Sequence, residues 1–148
     1  VAGTPDVNTE YVAWLAPTCV DNTAATAYLT TPVPTLATTF LWSWNVRIPP
    51  GHAGVTGIAL IDSGSFIIPY ANPGPAWLIG DDDNLTFPYG KQLGSNVKVG
   101  YYNTSTQYTH GWQLRFVFTP MSDLSETADV IVTPSLALLA QDIEQSTT

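Results

Sequence analysis

The sequence predicts an all-β fold, an antiparallel two-sheet sandwich with jelly-roll-like order, and three observations lead there. Several runs alternate apolar and polar residues with a period of two, the pattern of a half-buried strand. The runs are short and separated at near-regular spacing by Gly- and Pro-rich turns. No long amphipathic helices alternate with strands, as a parallel α/β fold would require. An immunoglobulin-like sandwich is the alternative topology, although a single cysteine rules out the Cys–Trp–Cys framework of antibody domains.

The 148 residues divide into three parts. Residues 1–37 read as an extended N-terminal arm, because Pro5, Pro17, Pro32 and Pro34 oppose a regular helix. Within it Tyr11, Val12, Trp14 and Leu15 form an apolar knot that needs a surface to cover it. Residues 38–120 form the sandwich core. Its first strand spans 39–48, with Phe40, Trp42, Trp44, Val46 and Ile48 on one face by strict alternation. Pro49-Pro50-Gly51 ends it.

Residues 55–62 read as a strand apolar on both faces, and 66–70 as a strand that Pro69 confines to an edge or a break. A short strand at 76–79, a turn at 80–84 and a brief pairing at 85–87 follow. Val97, Val99 and Tyr101 alternate in 96–102, and 103–111 reads as a polar hairpin loop. Trp112, Leu114, Phe116 and Phe118 share the inner face of the closing strand. Residues 121–148 form a C-terminal arm. Residues 129–132 suit an added strand. Thr133 and Pro134 suit the start of a short helix that carries Leu136, Leu139, Ala140 and Ile143 on one stripe.

Composition excludes several functions. Charged residues make up 11% of the chain, against about 25% in typical soluble domains, so neutral polar side chains or another protein must cover the surface. The net charge is −8, and the basic residues are Arg47, Lys91, Lys98 and Arg115. They are too few for a phosphate-binding patch or a polybasic membrane segment, so neither nucleic acid nor membrane is an expected partner. The N-terminus shows no signal-peptide pattern and no apolar run is long enough to span a bilayer.

No catalytic residue, cofactor site or metal site is assigned. Cys19 has no basic neighbour in sequence and reads as a small buried thiol. Asp81-Asp82-Asp83-Asn84 lacks the calcium-loop spacing and reads as a solvated turn. His52 and His110 each lack a second ligand at short spacing and read as loop residues. The Gly-x-Ser-x-Gly elbow is absent, and the three glutamates lie in the arms, so no hydrolase site is expected. Tyr89 and Tyr108, in loop settings, are the candidate ligand contacts for a carbohydrate- or receptor-binding module. Asn84-Leu85-Thr86 and Asn103-Thr104-Ser105 match the glycosylation acceptor pattern.

A compact β-sandwich flanked by two arms, without a catalytic set, resembles the small virion structural proteins that decorate or cement the capsids of tailed bacteriophages. The resemblance implies a homo-oligomer, often a trimer, that binds a capsid shell and resides in the virion; the carbohydrate-binding alternative implies a virion or extracellular module. It implies that Tyr11, Val12, Trp14, Leu15, Leu136, Leu139 and Ile143 are assembly contacts.

Overall fold

The computed structural model describes residues 10–34 and 39–120. Two antiparallel sheets face each other. The first has the order β1 (Tyr11–Leu15), β11 (Gln113–Pro120), β4 (Thr39–Ile48), β8 (Asp83–Leu93). The second has the order β3 (Leu29–Pro32), β9 (Val97–Asn103), β5 (Thr56–Asp62), β6 (Ser65–Ile68), β7 (Tyr70–Ala71). A two-residue ladder joins β2 (Thr18–Cys19) to β10 (His110–Gly111) at one end.

The chain changes sheet at almost every step, and its first strand pairs with its last. In an immunoglobulin sandwich the first and last strands each sit beside a near neighbour in sequence. The observed order is that of a jelly roll, in which the chain wraps as a double Greek key.

The inner faces carry the core. Leu41, Trp44, Val46 and Ile48 from β4 meet Leu114, Phe116 and Phe118 from β11. Ile58, Leu60, Val97, Val99 and Tyr101 close it from the opposite sheet. Trp44 and Phe116 stack at 5.9 Å between ring centroids. The strands expected at 96–102 and 113–119 therefore bury the faces that alternation assigns them.

Strict alternation fails in β4. Leu41 is buried and Trp42 is 40% exposed, the reverse of the expected assignment. The cause is a bulge. The pairing of β4 with β11 passes from Ser43↔Val117 to Leu41↔Phe118 and leaves Trp42 without a partner. The pairing with β8 shifts at the same place, beside Gly90, whose φ of +69° lies in the left-handed region. One extra residue inverts every side chain beyond it. Phe40 and Trp42 consequently turn outward and pack edge to face at 4.6 Å.

Residues 11–34, expected to form part of a separate arm, instead supply strands to both sheets. Pro17, Pro32 and Pro34 sit between strands or at a strand end, where a missing N–H is tolerated. β8 is likewise longer than the brief pairing expected at 85–87; it lies at a sheet edge, so Pro88 interrupts no inner ladder. The segment expected as a strand at 76–79 makes only a bridge between Leu78 and Ile58. The C-terminal arm and its helix lie outside the described residues.

The two outer faces differ. That of the second sheet is covered by its own chain. Trp77 packs edge to face against Tyr28, Phe66 and Tyr102 at 5.0–5.4 Å, above Ala59 and Ile61. Gly57 makes this approach possible, because a Cβ there would overlap the Tyr102 ring and lie 2.9 Å from Cβ of Trp77. Replacing Gly57 with Ala should cost about 1–3 kcal/mol through overpacking. The expected reading is a lower urea midpoint at unchanged slope.

Candidate functional site

The outer face of the first sheet has no comparable cover among the described residues. In β1, Ala13 and Leu15 point to the core while Val12 and Trp14 point away from it. Tyr11 rests on Phe118 at the rim, 6.2 Å between centroids. Register places Val12 beside Val117 and Trp14 beside Arg115, whose guanidinium lies 5.7 Å from the Trp14 ring. Val117 neighbours Ser43, and Trp42 and Phe40 follow along β4. The result is an oblique band, Trp14–Val12–Val117–Trp42–Phe40, across three strands. Trp14 is 68% exposed and Val12 46%. The Trp42 indole donates to Thr119 Oγ1 at 2.8 Å, which fixes its ring against the sheet.

Of the expected assembly contacts, Tyr11, Val12 and Trp14 are exposed and Leu15 is turned inward. Leu136, Leu139 and Ile143 lie outside the described residues. Phe40, Trp42 and Val117 join the band without having been singled out. Alternation had assigned the two aromatics to the core, and only the bulge brings them outside.

The two tyrosines proposed as ligand contacts do not converge. Tyr89 lies within β8 rather than in a loop, packed on the core, and burial together with the Asp62 charge raises its pKa. Tyr108 is 64% exposed in the loop after β9. Asp62 pairs with Val97 at the start of β9, whereas the Tyr108 carbonyl is held by Asn103 at its end. Seven strand residues, roughly 20 Å, separate those positions.

The histidines do meet. Their rings lie 4.6 Å apart at one end of the sandwich, beside a cleft of about 360 Å³ lined by Pro50, Trp112 and Gln113 among others. His52, expected in an open loop, is 1% exposed. Its Nε2 lies 2.9 Å from the Gly111 carbonyl, which only accepts, so Nε2 carries the proton. Nδ1 then accepts from Thr56 Oγ1 at 2.6 Å. Both ring nitrogens are engaged in holding the 49–54 loop to β10 and β5. Burial lowers the His52 pKa, the Gly111 hydrogen bond opposes this, and nearby His110 lowers it further.

The acidic turn is similarly occupied. Asp81 accepts from the backbone of residues 51–53, and these hydrogen bonds, led by that of Ala53, lower its pKa. Asp82 pairs with Arg47 at 2.7 Å, and Asp83 accepts from the Asp81 N–H. The turn expected at 80–84 thus gives way to β8 already at Asp83. Among the described residues no three His, Cys, Asp or Glu side chains converge as a metal site. Cys19 is fully buried, and burial raises its thiol pKa, as suits an inert packing role.

Asn103 is also fully buried. Its amide donates to the Cys19 and Tyr108 carbonyls and accepts from the Ser105 N–H. The acceptor pattern at Asn103-Thr104-Ser105 is therefore inaccessible in the folded chain. Asn84 of the second pattern is exposed, bonded to Asn45.

No family model matches the sequence, and no curated protein matches it. Two solved structures are similar to this chain in part. One is the capsid asymmetric unit of the cyanophage Pam1, with 11% identity and a TM-score of 0.44 over 75% of this chain and 84% of that chain. The other is a protein of the disulfide-linked pili that form Bacillus endospore appendages, with 9% identity and a TM-score of 0.41 over 76% and 89%. Among the described residues no helix is long and apolar enough to cross a membrane.

Two outcomes follow from the end of the sandwich. Unfolded His52 titrates near pH 6.5 and folded His52 below it, so the unfolded state binds more protons between those values. Its contribution to stability is complete above about pH 6.5 and falls as the pH drops through that window. Urea midpoints at pH 7.5 and 5.5 should show a loss that shrinks in His52→Gln. Asn103→Ala removes three buried hydrogen bonds and should cost at least about 1–3 kcal/mol in the same assay.

Proposed function

We propose that this protein is a structural subunit of a larger assembly, a capsid decoration or cement protein of a virion, that self-associates, as a trimer in the form the resemblance implies. The observation that carries this reading is the apolar band on the first sheet, uncovered among the described residues. Singly exposed apolar residues are normal, but a band of neighbouring apolar residues with three aromatics is a feature of contact surfaces. On the opposite sheet Trp77, from the chain's own loop, packs over Phe66 and Tyr102, and Tyr70 is exposed only at the edge strand β7. A charged fraction of 11% also suits a chain covered by protein. In this reading the protein is not an enzyme, the histidine pair is a structural tie, and the cleft beside it carries no chemistry.

Burial of the band stabilises an interface at about 25 cal/mol per Å² of apolar area. Trp14→Ser combined with Trp42→Ser should lower self-association or particle binding at least tenfold. The thermal midpoint should stay within a few degrees, since both rings lie outside the core. Light scattering, followed by cosedimentation with an assembled shell, reads the result. Unchanged mass and binding in the double variant would overturn the reading. Glycan binding lost on Tyr108→Ala would favour the carbohydrate-binding alternative.

A further inference from the structure

Each large sheet ends in two edge strands, and among the described residues three of these four edges are blunted. β8 carries Pro88, the Gly90 bulge and Lys91. β3 ends in Pro32. β7 is two residues long, between Pro69 and Pro73. Proline, charge, bulges and short length are the devices that stop an edge from pairing further. β1 has none of them. Tyr11-Val12-Ala13-Trp14-Leu15 contains no Pro, Gly or charge, and among the described residues its strand partner is β11 on one side only.

We propose that β1 is an acceptor edge for a strand, and that the strand is residues 129–132 of a second copy of this chain. This rests on the assembly reading and names its contact. Residues 129–132 read Asp-Val-Ile-Val, a β-branched run suited to a pleated edge. Residues 121–148 carry Asp123, Glu126, Asp129, Asp142 and Glu144 and no Lys or Arg. Arg115 stands beside Trp14 on the outer face, one strand in from that edge.

The place where β11 ends argues for a second copy. Phe118 pairs with Tyr11, so β11 finishes at the end of the sheet where β1 begins. A segment of the same chain turning back directly from there would run parallel to β1. Every strand pair in the described structure is antiparallel. An antiparallel addition from the same chain requires residues 121–128 to cross β1 and first travel its full length. A neighbouring copy meets the edge antiparallel without that detour.

Two differently tagged full-length chains test this. One carries Val12→Cys, the other Val130→Cys, and they are mixed under mild oxidation. A second acceptor chain with Trp14→Cys covers a register displaced by two residues. The expected product is a disulfide joining the two tags, lost when Ile131→Pro is added to the donor chain. Absence of linkage between tags at both acceptor positions, or linkage indifferent to Ile131→Pro, would each overturn the proposal. Light scattering separates the two levels. If the Ile131→Pro chain keeps its oligomeric mass, the strand addition fails and the assembly reading stands. If the unaltered chain is a monomer that binds no shell, both fail.

Discussion

The molecule depends on β11 lying between β1 and β4. The last strand of the core pairs with the first on one side and with the central aromatic strand on the other. The first sheet cannot close until residues more than a hundred positions apart have met. Such non-local closure makes β folds slow to form, because loop entropy is lost before the contacts reward it. It also makes the core cooperative. Trp44 stacks on Phe116 only when β11 is seated, and β1 has a partner only then.

The polar groups at one end of the sandwich follow from that closure. β10 runs into β11, and the Gly111 carbonyl just before it receives the His52 proton. Asp81 holds the loop that carries His52, and Asn103 holds the loop that leads to β10. Each of these side chains is already engaged by backbone groups or, for His52, also by the Thr56 hydroxyl. A buried imidazole that is satisfied on both sides is a tie. Its burial is tolerable only while it is neutral, which is why acid bears on this end first.

Alternation made the buried faces of β9 and β11 legible in the sequence, since neither face is interrupted along its inner stripe. β4 was legible as a strand, and its facing was legible from Trp44 to Ile48 but not on the Phe40–Trp42 side of the bulge. Alternation assumes constant register, and no residue within β4 marks the extra position; Gly90, on the neighbouring strand, carries the only sign of it. The prolines of residues 1–37 pointed to extended backbone, but their density obscured the two sheet strands found among the described residues. The spacing between prolines leaves Tyr11–Leu15 and Leu29–Thr31 free of them, and that spacing was the available signal. His52 stood among Pro, Gly and Ala, residues typical of open loops, and its burial comes from contacts 59 positions away that no local pattern records.

One open edge among four gives the sandwich a valence. A body with several receptive edges would stack without direction into sheets. With one acceptor edge and one donor segment, as proposed, each copy would pass a strand to one neighbour and receive one from another. Such head-to-tail contacts close into a ring when the rotation per step divides a full turn, and continue as a filament when it does not. In the proposed exchange, the prolines on β3 and β8 and beside β7 would therefore act at the scale of the assembly: they would limit each subunit to two strand-exchanging neighbours and leave the twist of β1 to set the symmetry.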